Sequence, residues 1–235
     1  MKKKQAVGAR GSPGFLRTVG AVFWKDLVVE FRSRELFSAM LVFALLVILI
    51  FNFAIELEPS MRLTITPGVL WVTFAFAGTI GLNRSMAVEQ DRGCLDGLLL
   101  APVDRSAIYF GKAGSNLVFM LVVEAVVLPL YSLLYNMNLF VPGLLLTILL
   151  GSLGYIAVGT LLASMAVQAR TREMLLPILL FPVILPLLLA ALKASAGFLQ
   201  GDPLSGIWPW LNLLIAGDVI FLALAWMVFD FIVED

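Results

Sequence analysis

Residues 89–102 read EQDRGCLDGLLLAP, from Glu89 to Pro102, and they separate two long apolar runs. The chain is 61% hydrophobic and only 14% charged, so it has few residues to place in water. Soluble domains average roughly 25% charged residues. A charged, turn-rich segment between two apolar runs therefore needs a reason, and the pattern predicts a loop outside the membrane that docks a soluble partner.

Outward from this loop, the sequence contains six runs long enough to cross a bilayer, which takes about 20 apolar residues. They are residues 36–55, 63–82, 113–135, 139–167, 174–192 and 208–229. The pattern predicts an all-α membrane protein with six transmembrane helices in one domain, 35–235, whose second and third spans are joined by a cytosolic loop, 84–112. Glycines and prolines in 193–209 predict a long irregular connector on the outer side.

The basic residues fall almost entirely on one side of this arrangement. Fourteen of the sixteen lie before the first span, between the second and third, or between the fourth and fifth. The other two are Arg62 and Lys193. Because basic loops stay in the cytoplasm, both termini are predicted to be cytosolic. The only cysteine, Cys94, would then lie in the cytosolic loop.

The N-terminal region divides into two parts. Residues 1–14 are basic and rich in small residues, which predicts a disordered tail. Residues 15–34 show apolar side chains at helical spacing, with Arg17, Lys25 and Arg32 opposite them. This predicts an amphipathic helix at the membrane surface, in contact with lipid, which either orients the protein or contributes to an interface. Its apolar residues are Leu16, Phe23, Trp24, Leu27 and Phe31.

The loop itself has the elements of a short helix. Gly93 can end the preceding helix, Pro102 can stop a following turn, and Asp104 or Ser106 can cap the third span. Leu95, Leu98 and Leu99 form a one-turn apolar face between them. A plain solvated connector is the alternative, but it gives no reason for consecutive leucines.

The loop resembles the segment between the second and third spans of ABC-2-type permeases. The residues that carry this resemblance are Glu89, Gly93, Leu95, Leu98, Leu99, Pro102, Gly111 and Lys112. In that family the segment is a coupling helix that presses into a groove on a separate ATPase subunit. The resemblance implies the same ATPase-coupling role here.

A closer resemblance is to the CcmB family, permease subunits of cytochrome c maturation. It rests on WKDL at 24–27, EFR at 30–32, TPGVLWV at 66–72, LNRS at 82–85 and DGLLLAPVDR at 96–105. It implies a bacterial inner-membrane protein that works with a CcmA-type ATPase, the membrane subunits CcmC and CcmD, and the haem chaperone CcmE. In this family ATP hydrolysis serves release of haem-loaded CcmE. Six spans are half a usual transporter, so a homodimer is expected.

The sequence lacks the residues that ATP binding and haem ligation through histidine require. A phosphate-binding loop needs Gly-x-x-x-x-Gly-Lys-Ser/Thr, and Gly111-Lys112 is followed by Ala113. The chain has no histidine and no Cys-x-x-Cys-His segment, so haem ligation through histidine is excluded. We expect no enzyme activity, no metal and no cofactor in this chain, with ATP on the partner ATPase and haem on partner subunits. No nucleic-acid partner is expected.

Two acids lie inside predicted spans, Glu124 near the middle of the third and Asp218 about a third into the sixth. A carboxylate at the bilayer centre costs roughly 2.5–3.5 kcal/mol on insertion scales, so such residues often have a function. A protonated acid hydrogen-bonded between helices is the alternative, favoured for Asp218. Glu124 is predicted to lie at a helix–helix contact and to avoid lipid.

Three other functions remain open from the residues alone. An ABC-2 permease exporting a lipid, polysaccharide or drug would share the fold and the loop. Ala216-Gly217-Asp218 is weakly similar to an aspartyl intramembrane protease motif, which would need two acids facing each other. A membrane scaffold would not need a coupling loop.

Overall fold

The computed structural model describes residues 14–54, 59–91, 104–166 and 172–232. Within these ranges the chain forms seven helices and no strand. They are α1 (Phe15–Ser33), α2 (Glu35–Ala54), α3 (Pro59–Asp91), α4 (Arg105–Tyr135), α5 (Pro142–Ala166), α6 (Arg172–Gln200) and α7 (Leu204–Ile232). Six of them, α2 to α7, are long and apolar enough to cross a membrane. The predicted all-α fold with six spanning helices is confirmed.

Helix α5 packs against four other helices, α3, α4, α6 and α7. Small residues on α5 allow this close approach. A Cβ at Gly151 would lie 2.2 Å from the Trp71 ring, and a Cβ at Gly159 would lie 2.3 Å from Leu82. Both contacts come from α3, as expected when small residues repeat along one face of a membrane helix.

The prediction of a long irregular connector at 193–209 is wrong. Helix α6 continues to Gln200, α7 begins at Leu204, and only residues 201–203 join them. Glycine has a low helix propensity, yet Gly197 lies inside α6. Packing explains this, because α7 approaches so closely there that a Cβ on residue 197 would lie only 2.7 Å from Ile207. The turn uses Gly201 in the left-handed region, at φ +75°.

The predicted loop at 84–112 is shortened from both ends. Helix α3 continues to Asp91, and α4 begins at Arg105. Asp104 caps α4, because its Oδ1 accepts a hydrogen bond from the Ser106 backbone N–H at 3.1 Å. Of the two predicted capping residues, the structure selects Asp104. Residues 92–103 lie outside the described part of the chain.

Candidate functional site

The predicted apolar face of α1 divides into two sides. Leu27 is buried and Phe23 is half-buried, because both pack toward the bundle. Glycines on α4 allow this approach: a Cβ at Gly111 would lie 2.7 Å from Val22 Cβ, and one at Gly114 would lie 3.2 Å from Phe23. The prediction that Phe23 and Leu27 face lipid is therefore corrected.

The other side of α1 does match a membrane-surface helix. Leu16, Trp24 and Phe31 are 82%, 66% and 76% exposed. Arg17 and Arg32 are exposed next to them in the helical sequence. One side of α1 therefore packs on α4, and the other side is exposed and carries apolar and basic residues. This exposed side has the composition expected at the boundary between lipid headgroups and acyl chains.

A buried ion pair lies in the contact between α1 and α4. The Lys112 Nζ is 3.5 Å from Asp26 Oδ2, and the Lys112 side chain is only 3% exposed. The Ser115 hydroxyl donates to the same Asp26 oxygen at 3.1 Å, and the Lys25 Nζ lies 3.1 Å from Asp26 Oδ1. We call Asp26, Lys112 and Ser115 the α1–α4 joint. A buried charge needs such partners to offset its desolvation.

The joint changes the position expected for Lys112. The resemblance to ABC-2-type permeases placed this residue in the coupling loop, but it lies two turns into α4 with its side chain against α1. The reason is the nearby carboxylate of Asp26, which offers a buried ammonium a better environment than lipid.

The other predicted coupling residues are not tested by the structure. Glu89 lies in the last turn of α3, and its side chain is outside the described residues. The rest lie in 92–103, also outside them: Gly93, Leu95, Leu98, Leu99 and Pro102. Their role in ATPase coupling stays a prediction.

Glu124 lies inside the bundle, as predicted. It is 2% exposed, and the Ser152 hydroxyl of α5 donates a hydrogen bond to its Oε1. Its second oxygen, Oε2, has no hydrogen-bond partner among the described residues. Glu124 therefore connects α4 to α5 at a buried contact between two spans.

Asp218 occupies a different environment from the one predicted. Because α7 begins at Leu204, Asp218 lies at the middle of that helix, and it is 4% exposed. Neither carboxyl oxygen has a hydrogen-bond partner in the described part of the chain, so the expected interhelical hydrogen bond is absent there. Gly154 of α5 makes room for the carboxyl group, since a Cβ at that position would lie 2.3 Å from Asp218 Oδ1.

The two acids do not form a facing pair. Glu124 contacts Ser152, and Asp218 contacts Gly154. Residues that are two positions apart in an α-helix point in directions that differ by about 200°. The carboxyl groups therefore lie on opposite sides of α5. An aspartyl protease needs two acids that share one site, so this geometry argues against that alternative.

Sequence reasoning missed Asp26, Ser115 and Ser152 as site residues. Asp26 does carry a signal, because it shares the apolar side of a basic helix with Val19 and Val22 at i−7 and i−4. An acid on the buried side of such a helix predicts a buried cation. Ser115 and Ser152 carry no comparable signal, since small hydroxyl residues are common in membrane helices.

These features define a class: a multi-pass helical membrane protein whose N-terminal helix is fixed to the bundle by a buried ion pair. Comparison with known families then identifies the group. The family model described as CcmB protein matches residues 17–233, and the chain belongs to this family.

Three relatives show how far the similarity extends. Each is named heme exporter protein B. The protein of Pseudomonas aeruginosa is 28% identical over 186 residues, which cover 79% of this chain and 83% of that protein. The protein of Paracoccus denitrificans is 27% identical over 189 residues, 80% of this chain and 87% of its own. The protein of Rhodobacter capsulatus is 27% identical over 172 residues, which cover 72% of this chain and 78% of that protein.

Proposed function

We propose that this chain is the membrane permease subunit of an ABC-type complex for cytochrome c maturation. In this proposal a CcmA-type ATPase binds the loop around Leu98 and Leu99, and ATP hydrolysis there drives release of the haem-loaded CcmE chaperone. The family match over residues 17–233 carries the proposal. The name heme exporter protein B, shared by relatives that align with most of the chain, supports haem as the cargo of the complex.

The α1–α4 joint supports the coupling part of this proposal. Helix α4 begins at Arg105, directly after the loop, and Lys112 binds Asp26 two turns later. A force applied to the loop would therefore reach α1 through one helix and one buried contact. Helix α1 would carry the movement to the membrane surface.

The remaining parts of the proposal concern location and assembly. Both termini lie in the cytoplasm of a bacterium, the bundle lies in the inner membrane, and two copies form the transport unit. CcmC and CcmD are the membrane partners, and CcmC handles the haem. This division of labour agrees with a chain that contains no histidine.

The coupling proposal is tested by a double substitution, Leu98→Asp with Leu99→Asp. We expect loss of ATPase co-purification with a normal amount of the permease in the membrane, because two carboxylates cannot enter an apolar groove without a desolvation cost. Val103→Asp is the control, since it introduces a carboxylate at another apolar position of the same loop, beyond Pro102, and it should leave ATPase co-purification intact. Wild-type recovery of the ATPase with the double variant would refute the docking surface.

The cargo proposal needs a separate measurement. In a bacterium lacking its own permease subunit, this chain and its ATPase should restore covalent haem in c-type cytochromes, read by haem peroxidase staining of membranes. If the ATPase co-purifies but no cytochrome matures, while export of a lipid, polysaccharide or drug is restored, the ABC-2 exporter alternative is correct.

A further inference from the structure

A cleft opens where α1 turns into α2, against the side of α4. Its volume is about 320 Å³, at the lower end of the range of about 300–1,000 Å³ typical of ligand sites. The walls are apolar and include Leu27, Phe37, Val118 and Val122, while Glu30 and Arg34 supply the polar atoms. The cleft lies at the start of the first spanning helix, which the predicted topology places at the cytoplasmic surface of the membrane.

Glu30 is already engaged at this hinge. Its Oε1 accepts a hydrogen bond from the Phe37 backbone N–H at 2.8 Å, and its Oε2 accepts one from the Ser33 hydroxyl at 3.4 Å. The carboxylate thus caps the first turn of α2, where the helix dipole favours a negative charge. Both of its carboxyl oxygens are therefore occupied by donors of the hinge.

Arg34 is in the opposite situation. Its backbone ends α1 in the left-handed region at φ +56°, with its N–H donating to the Glu30 carbonyl. Glycine or asparagine is the usual residue at such a cap, because a larger side chain is strained there. The arginine is exposed, and its side chain lies at the rim of the cleft. Strain of this kind is a reason to look for a function of the side chain.

We propose that the cleft binds an anionic phospholipid, with one acyl chain between α1, α2 and α4 and the headgroup phosphate on Arg34. The apolar walls match a hydrocarbon chain, and a guanidinium matches a phosphate by charge and by geometry. Haem is a poorer occupant, because the described residues that line the cleft include no His, Cys, Met or Tyr side chain to bind its iron. The proposal does not depend on what the complex transports.

Native mass spectrometry of the purified full chain in detergent provides the test. The probe is an equimolar mixture of phosphatidylglycerol and phosphatidylcholine with identical acyl chains. The wild-type protein should retain phosphatidylglycerol preferentially. Arg34→Gly suits the left-handed backbone while deleting the guanidinium, so it should reduce that preference roughly five-fold without harming the fold. Arg34→Lys should keep most of the preference, because it keeps the charge.

Two further variants make the result specific to the cleft. Val122→Trp fills the cleft and leaves the hinge unchanged, so it should lower the retention of both lipids. Arg17→Gln removes an exposed positive charge near the other end of α1 and should change nothing. The proposal is overturned if the wild type shows no preference, if Arg17→Gln acts as strongly as Arg34→Gly, if Val122→Trp retains both lipids normally, or if added haem displaces the bound phosphatidylglycerol.

Discussion

Breaking the α1–α4 joint should destabilise the protein unequally, depending on which partner is removed. Asp26→Asn deletes the carboxylate charge that lies 3.5 Å from the Lys112 ammonium, while keeping the size of the side chain and an acceptor for Ser115. Lys112→Met deletes the ammonium and leaves an apolar side chain of similar length. The carboxylate that remains in the second variant still has Lys25 at 3.1 Å.

The magnitude follows from distance and burial. Two unit charges 3.5 Å apart attract by about 5 kcal/mol at an effective dielectric constant of about 20. Removing one partner of a buried pair costs about 3–5 kcal/mol because the other charge stays desolvated. We expect this cost for Asp26→Asn, since the Lys112 side chain is 3% exposed. Lys112→Met should cost only about 1–3 kcal/mol, because Asp26 keeps a hydrogen bond and a second cation.

A double-mutant cycle on the detergent-solubilised chain measures the coupling. Thermal unfolding should shift downward on the order of 10 °C for Asp26→Asn, and adding Lys112→Met should recover part of that loss, because the buried charge is gone. Lys25→Met is the control; its side chain is 36% exposed, and its effect should stay within about 1 kcal/mol. Additive single effects, or an Asp26→Asn variant as stable as the wild type, would show that the joint does not hold α1 on α4.

Topology, packing and the intramembrane acid each allow a shorter test. Cys94 should react with a membrane-impermeant thiol reagent only after the cells are permeabilised, whereas a cysteine introduced at Gln200 should react in intact cells; labelling of Cys94 in intact cells would reverse the orientation. Gly154→Ala should lower the free energy of unfolding by about 1–3 kcal/mol, since the new methyl group would overlap the Asp218 carboxyl. Gly206→Ala, with none of the described residues within 4 Å of the new atom, should be neutral in the same unfolding assay. Glu124→Gln should support cytochrome c maturation and Glu124→Leu should impair it if the residue is a neutral hydrogen-bonding group; equal failure of both, with the complex assembled, would show that the charge itself is used.

The number of spans could be predicted because it depends on the length of apolar runs, a local property of the sequence. The ends of the helices could not, and the 193–209 region shows why. Gly197 and Gly201 look alike in the sequence, yet Gly197 lies inside α6 against Ile207 while Gly201 makes the turn at φ +75°. Only the packing of α7 on α6 distinguishes them, and that contact is not visible in local composition.

In the candidate site, the burial of a charged residue could be predicted from the sequence, but the residue that it contacts could not. The desolvation cost of a carboxylate in lipid was enough to predict that Glu124 is buried. Its partner Ser152 depends on the register between α4 and α5, which no periodicity records. Lys112 was assigned to the coupling loop by the resemblance to ABC-2-type permeases. Its true position requires the contact with Asp26, a residue 86 positions earlier in the chain.

Helix α4 connects the features that the proposed mechanism needs. It follows the loop, binds α1 through Lys112 and binds α5 through Glu124. Lys112 and Glu124 lie 12 residues apart, about 18 Å along the helix axis. The proline within α4, Pro129, comes after both, so the stretch between them has an uninterrupted hydrogen-bond ladder. A displacement of the loop would therefore move both contacts together. Asp218 lies on the opposite side of α5 and shares no hydrogen-bond partner with Glu124 among the described residues. This separation predicts that substitutions at Glu124 and Asp218 have nearly additive effects on stability.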